Sequence, residues 1–222
     1  MFRSIAILFL FSIIGCQSRQ KIEQTTFVDR AYPEHWWKAE DATTAPKWEI
    51  LPQAAKSGEV IVSKRNELGI LSNFAPTPFT FYGKKYGSVE GLWSAMKYPE
   101  NPKDLRAKFP GLEWPHARDY VAQLSSFEAK KAGTIAGENM KKMNINWVTF
   151  ENRKIDYRVM EKGDHYKLIR EAMMAKLEQN PEVRRILVST KGLTLKPDHI
   201  QEEPTPPAWK YYEIWMEIRD SL

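Results

Sequence analysis

The chain has 222 residues, of which 42% are hydrophobic, 27% charged and 12% aromatic. That composition is globular, and it excludes disorder, collagen and coiled coil as readings of the whole chain. Basic residues number 33 and acidic residues 28, an excess that admits an anionic ligand and falls far short of the dense charge block of a nucleic-acid tail.

At the N-terminus, Arg3 precedes an apolar run from Ile5 to Ile14, with Gly15 immediately before Cys16, the only cysteine. The run is too short for a permanent membrane-spanning helix and reads as a secretory signal peptide. Its end, Ile13-Ile14-Gly15-Cys16, is similar to a bacterial lipobox, in which the cysteine is lipidated as the first residue of the mature protein. The alternative is a cleaved signal with an incidental cysteine. As a lipoprotein the chain has the membrane as a partner through a lipid anchor, each buried acyl methylene contributing about 0.8 kcal/mol. Gln17 stands where an aspartate would favour inner-membrane retention, so the expected location is the bacterial cell envelope, at the outer membrane. With Cys16 used as an anchor, the mature domain has no disulfide, thiol nucleophile or cysteine metal ligand. It must hold together by packing, for which eight Trp, ten Phe and nine Tyr supply large buried areas.

Residues 17–55 are polar, hold Pro33, Pro46, Pro52, Trp36, Trp37 and Trp48, and carry five basic and six acidic residues. They read as a tether that straps onto the following domain by its aromatics. The domain, 56–222, keeps the basic excess, with 27 basic and 22 acidic residues. Val60 to Ser63 is a short β-branched strand, and Phe79 to Tyr86 reads as a hairpin turning at Gly83. Ser88 then caps a helix whose Val89, Leu92, Trp93 and Met96 form a core stripe, while Glu90, Ser94 and Lys97 share another face. Residues 99–120, broken by four prolines, are either a lid or a surface insertion. Ser125 and Glu128 form a capping box ahead of a helix to about Met143. Asp164 opens another helix, closed by Asn180-Pro181, and a short helix restarts at Pro181. Residues 196–209 form a proline-rich loop before a last helix from Tyr212 to Arg219. The sum is an α+β fold, predominantly helical with a small antiparallel sheet.

The phosphate-cradling glycine patterns and the GxSxG elbow are absent. His35, His116, His165 and His199 lack tight metal-ligand spacing and read as surface or structural residues, so no metal site is expected. Carboxylates remain, and Glu90 is the unusual one: it sits in a first helical turn beside Gly91, which is expected to leave its surroundings open. Lys97 lies about 10 Å further along the axis, so the two would grip two ends of one ligand instead of pairing. The helix N-terminus keeps Glu90 ionised unless burial overrides the dipole. An ionised carboxylate suits water activation or stabilisation of a developing cation. A surface glutamate that merely satisfies the helix dipole has the same spacing.

The segment LSNFAPTPFTFYGKKYGSVEGLWSAMKY, residues 71–98, resembles the signature of the NADAR (YbiA-like) family through Ser72-Asn73-Phe74, Gly83, Glu90, Lys97 and Tyr98. The stretch 169–190 is similar to the family's helix pair, giving Lys176, Gln179 and Asn180. This resemblance spans roughly residues 60–219. It implies a helix-rich α+β enzyme that hydrolyses an N-glycosidic bond to ribose in an ADP-ribosylated or phosphoribosylated nucleotide-like substrate, with no cofactor. Members act on ADP-ribosylated guanine and on phosphoribosylated intermediates of riboflavin biosynthesis. By the same resemblance Glu90 is the catalytic carboxylate, and Asn73, Phe74 and Lys97 line the pocket. Lys97 would meet a phosphate, and Tyr86 or Trp93 would stack on a base, Trp93 reading more readily as core. Near the C-terminus the family has an aspartate and a Trp-Gly loop. Here Trp209 is retained without the glycines, and Asp198, Glu202 and Glu203 are the candidates for the second carboxylate. Gly91 and Ser94 stand where the family often has histidine and glutamine. The expected ligand is a small nucleotide-like molecule, with nucleic acid a partner only when ADP-ribosylated. The alternative is a non-catalytic nucleotide- or ADP-ribose-binding lipoprotein of the envelope.

Overall fold

The computed structural model describes residues 32–222; the signal peptide, Cys16 and the first part of the expected tether lie outside the described residues. Six helices and three two-stranded sheets form among the described residues. In chain order these are β1 (Glu59–Ile61), β2 (Phe79–Phe81), β3 (Lys84–Tyr86), α1 (Val89–Met96), α2 (Arg118–Ala122), α3 (Ser126–Lys142), β4 (Trp147–Phe150), β5 (Arg153–Asp156), α4 (Asp164–Gln179), α5 (Pro181–Ser189), β6 (Thr194–Lys196) and α6 (Tyr211–Asp220). No helix among them is long and apolar enough to cross a membrane.

Local chemistry sets most of these elements. The β2–β3 hairpin turns through Tyr82 and Gly83, both at positive φ (47° and 72°), the two-residue turn that matches strand twist. Ser88 caps α1 by accepting the Gly91 N–H at 2.8 Å, closing one orphan donor of the first turn. The α4–α5 break falls at Asn180-Pro181 as expected. There Gln179 exchanges two hydrogen bonds with the backbone of Thr80, at 2.7 and 2.8 Å. The end of α4 is thereby stitched to the edge of the hairpin.

Several expectations are corrected. The strand near Val60 joins no antiparallel sheet: β1 pairs in parallel with β6, Val60 opposite Leu195. A second hairpin, β4–β5, has no counterpart among the sequence-based expectations; its turn residues Glu151 and Asn152 sit at φ of 48° and 58° without a glycine to mark them. Ser125 precedes α3 but makes no side-chain cap. Instead Ser126, at φ 55°, donates its N–H to Phe74 O at 2.8 Å. The start of α3 is therefore pinned to the loop that carries Asn73 and Phe74. Residues 99–120 are held at Arg106, which is fully buried and donates to Met96 O and Lys97 O, both at 2.9 Å. That segment buttresses the C-terminal end of α1.

Within 32–55, Trp36 and Trp37 are buried in the main core. Their indole N–H groups reach Glu67 Oε1 at 2.7 Å and Glu59 O at 2.8 Å. Residues 48–50 run antiparallel to 198–200, with Ile50 N donating to Asp198 O at 2.9 Å and Ile200 N to Trp48 O at 3.0 Å.

Candidate active site

An open cleft of about 1460 Å³ runs between α1, α3, the 72–74 loop, the start of α4 and the 198–209 loop. That exceeds the 300–1,000 Å³ typical of a drug-sized ligand site and leaves room for an extended, nucleotide-sized molecule. Its charged lining consists of Lys64, Lys97, Lys130, Lys141 and Arg158 against Glu90, Glu138 and Glu202, so the wall is net basic.

Glu90 is 7% exposed and its N–H donates to Asn73 O at 2.9 Å, which ties the first turn of α1 to the 72–74 loop. Burial pushes its pKa up, against the lowering fields of Lys97, Lys130 and His199. The dipole is thus overridden by desolvation. The surroundings are also closed where openness was expected: a Cβ on Gly91 would lie 2.4 Å from Leu124 O and 2.9 Å from Ala122 O. Glycine is needed there because the backbone after α2 lies directly against α1. Lys97, at the other end of the helix, sits with Nζ 4.6 Å from the Trp93 ring centroid and 3.4 Å from Gly133 O. Burial brings its pKa down to about 8, against the raising field of Glu90.

Trp93, read as core, is only partly buried and lines the cleft. It packs against His165 at 4.8 Å and edge-on to Tyr157 at 5.2 Å. His165 is 1% exposed, and burial lowers its pKa to about 4, so its ring is neutral. Both its ring nitrogens, together with Asn73 Oδ1 and Ser94 Oγ, are buried without hydrogen-bond partners. Unpartnered buried polar atoms are uncommon in folded proteins, and among the described residues they gather around α1. Trp209, 36% exposed, lies near-parallel to Tyr157 at 6.3 Å. Phe74 meets Phe127 edge-on at 5.6 Å, with Lys64 Nζ 5.4 Å from its ring centroid.

Three expected site residues stand elsewhere. Tyr86 is buried against Phe79 at 5.8 Å and lines a separate pocket of about 230 Å³ beside Arg118. It is the one buried residue of β3, both lysines before it being exposed, and burial pushes its hydroxyl up to about 12. Glu203 is exposed and paired with Lys210 at 3.4 Å, off the cleft wall. Asp198 is 1% exposed and does not line the cleft; its carboxylate is taken by Lys64, His199 Nδ1 and the Tyr211 hydroxyl. Of the three carboxylate candidates only Glu202 faces the cleft. His165 and His199, read as surface or structural, both line it. For the second, the adjacent acid and imidazole of Asp198-His199 are the sequence signal, the two side chains being hydrogen-bonded at 3.0 Å. Among the described residues no three His, Cys, Asp or Glu side chains converge as a metal cage.

Fold and cleft together define an α+β protein with a buried carboxylate and a partly buried lysine at the two ends of one helix, facing an aromatic, basic cleft. No protein-family model and no curated protein matches the chain. Among solved structures it is similar to the NMR structure of the E. coli protein YbiA, at 18% identity over 75% of this chain and 87% of that one, with a TM-score of 0.46.

Proposed function

We propose that this cleft hydrolyses an N-glycosidic bond to ribose in an ADP-ribosylated or phosphoribosylated nucleotide, with Glu90 as the essential carboxylate. The observation that carries the reading is Glu90 itself, buried in the lining of a basic, aromatic cleft and raised in basicity by that burial. Breaking the bond from the anomeric carbon to nitrogen develops oxocarbenium charge on the sugar. A carboxylate beside it stabilises that charge, as in O-glycoside hydrolysis. The same carboxylate takes the proton of the attacking water, and a raised pKa makes it the stronger base for that task. The basic lining receives phosphate oxygens, and Trp93 and Trp209 offer flat faces to a base. The sequence signature at 71–98 supports the same chemistry.

The test is to incubate the protein and its Glu90→Gln variant with ADP-ribosylated guanosine, ADP-ribosylated DNA and riboflavin-pathway phosphoribosyl amines, following released base and sugar by chromatography. The wild type should release base, and the variant should fall by roughly 10²–10⁴-fold, the usual worth of a general base. Tight binding of these nucleotides with no release by the wild type would instead establish a binding module.

A further inference from the structure

Asp198 is a buried carboxylate beside the cleft that the proposed chemistry leaves unused. Its carboxylate accepts from His199 Nδ1 at 3.0 Å and from Tyr211 Oη at 3.4 Å, and it pairs with Lys64. Although burial raises its pKa, the His199 hydrogen bond and the Lys64 charge hold it below the usual carboxylate range. An ionised carboxylate only accepts, so Nδ1 must be the protonated nitrogen of the ring. Nε2 is then left as the nitrogen that exchanges its proton, Nδ1 being the one engaged with Asp198. The ring is also fixed in orientation. It stacks on Tyr211 at 6.2 Å and 7°, and its backbone is clamped on both sides by the 48–50 segment, through Asp198 O and Ile200 N. His199 lines the same cleft as Glu90 and comes from a different wall.

Hydrolysis by Glu90 alone leaves one proton unassigned. The departing nitrogen of a neutral base carries off the bonding pair and needs a proton to leave readily. Glu90 cannot supply it while serving as the base toward water. We propose that His199 is the general acid that protonates the departing nitrogen and that Asp198 is its positioning residue, an inference that rests on reading the cleft as an N-glycosidase. In the step, the C–N pair leaves with nitrogen and the Nε2 proton transfers to it. Water oxygen bonds to the anomeric carbon and gives its proton to Glu90. One water is consumed, base and free sugar hydroxyl are formed, and the proton on Glu90 returns to His199 through solvent. A carboxylate against Nδ1 stabilises the imidazolium that this cycle requires, the arrangement of a carboxylate–histidine pair.

The experiment measures kcat/KM for the wild type, His199→Gln and Asp198→Asn on ribosyl phosphates whose bases are graded in acidity, ending with a pyridinium, which departs neutral without a proton. Loss of the acid should slow the most basic neutral leaving group by about 10²-fold or more and the pyridinium by less than about threefold. The plot of rate against leaving-group pKa should therefore steepen in His199→Gln, and less so in Asp198→Asn. The pyridinium arm also reports that each variant is folded. An unchanged slope, whether the rates fall uniformly or not at all, would overturn the role of His199 while leaving Glu90 as the essential carboxylate. Failure of the wild type to release any base would overturn both readings.

Discussion

Lys176 is fully buried, and its ammonium would be costly there without a carboxylate. Its Nζ donates to Ile70 O at 2.7 Å and Ser72 O at 2.9 Å, and burial brings its pKa down to about 7. A neutral amine has two N–H groups for these two carbonyls, so shedding the proton loses no hydrogen bond. The contacts fix the turn that delivers Asn73 and Phe74 to the cleft, and Trp215 holds the same turn through Leu71 O at 2.6 Å. Unfolded, the amine keeps its proton up to about 10.5; folded, it loses it near 7. Between those values the unfolded state binds more protons, so raising the pH favours the folded state. Lys176→Met removes that linkage and strands two carbonyls, at about 1–3 kcal/mol each. Urea unfolding at pH 7 and pH 9 should show the variant less stable at both, with a wider gap at pH 9. A gap that is the same at both pH values would mean that the buried amine stays protonated.

At the scale of elements, α3 crosses α1 at a glycine. A Cβ on Gly133 would lie 2.2 Å from Ser94 Oγ and 3.4 Å from Lys97 Nζ, whereas one on Gly137 would meet nothing within 4 Å. Alanine at either position gains about 1 kcal/mol of helix propensity, but at Gly133 overpacking costs about 1–3 kcal/mol. Thermal unfolding should therefore show Gly137→Ala stabilised and Gly133→Ala destabilised, the latter also shifting Lys97. Such contacts also mark what the sequence makes legible. Helices with a long apolar period, α3, α4 and α5, and the hairpin with a glycine at its turn can be read from local pattern. The β4–β5 hairpin cannot, because Glu151 and Asn152 take left-handed φ without a glycine signal. The parallel β1–β6 pair joins strands more than 130 residues apart, for which local sequence carries no register. The site divides in the same way. Glu90, Asn73, Phe74 and Lys97 are close in sequence and share the cleft, as do Trp209 and Glu202. Tyr86 sits elsewhere because it packs against Phe79 inside the hairpin, and Asp198 and Glu203 because side-chain pairing in the folded loop decides their direction. The two cleft histidines acquire their neighbours, Trp93 and Tyr211, only through tertiary packing.

For the molecule as a whole, the described part of the expected tether bears directly on stability and on the cleft. Trp36 is 1% exposed and Trp37 7%, each with its indole N–H satisfied, and Trp48 lines the cleft mouth near Phe127. Residues 48–50 also supply the backbone partners that hold Asp198 and His199 in place. Removing a buried tryptophan costs about 3–5 kcal/mol, against a total stability of about 5–15 kcal/mol for a domain. A fragment covering 56–222 should therefore lose most of its cooperative unfolding transition relative to 32–222. Near-ultraviolet circular dichroism during a thermal ramp reads this directly, since it reports fixed aromatic packing. A 56–222 fragment that melts as sharply and at the same temperature as 32–222 would make the preceding residues a dispensable linker. Loss of the transition would place the domain's N-terminal boundary upstream of Trp36 and make the segment part of both the core and the cleft.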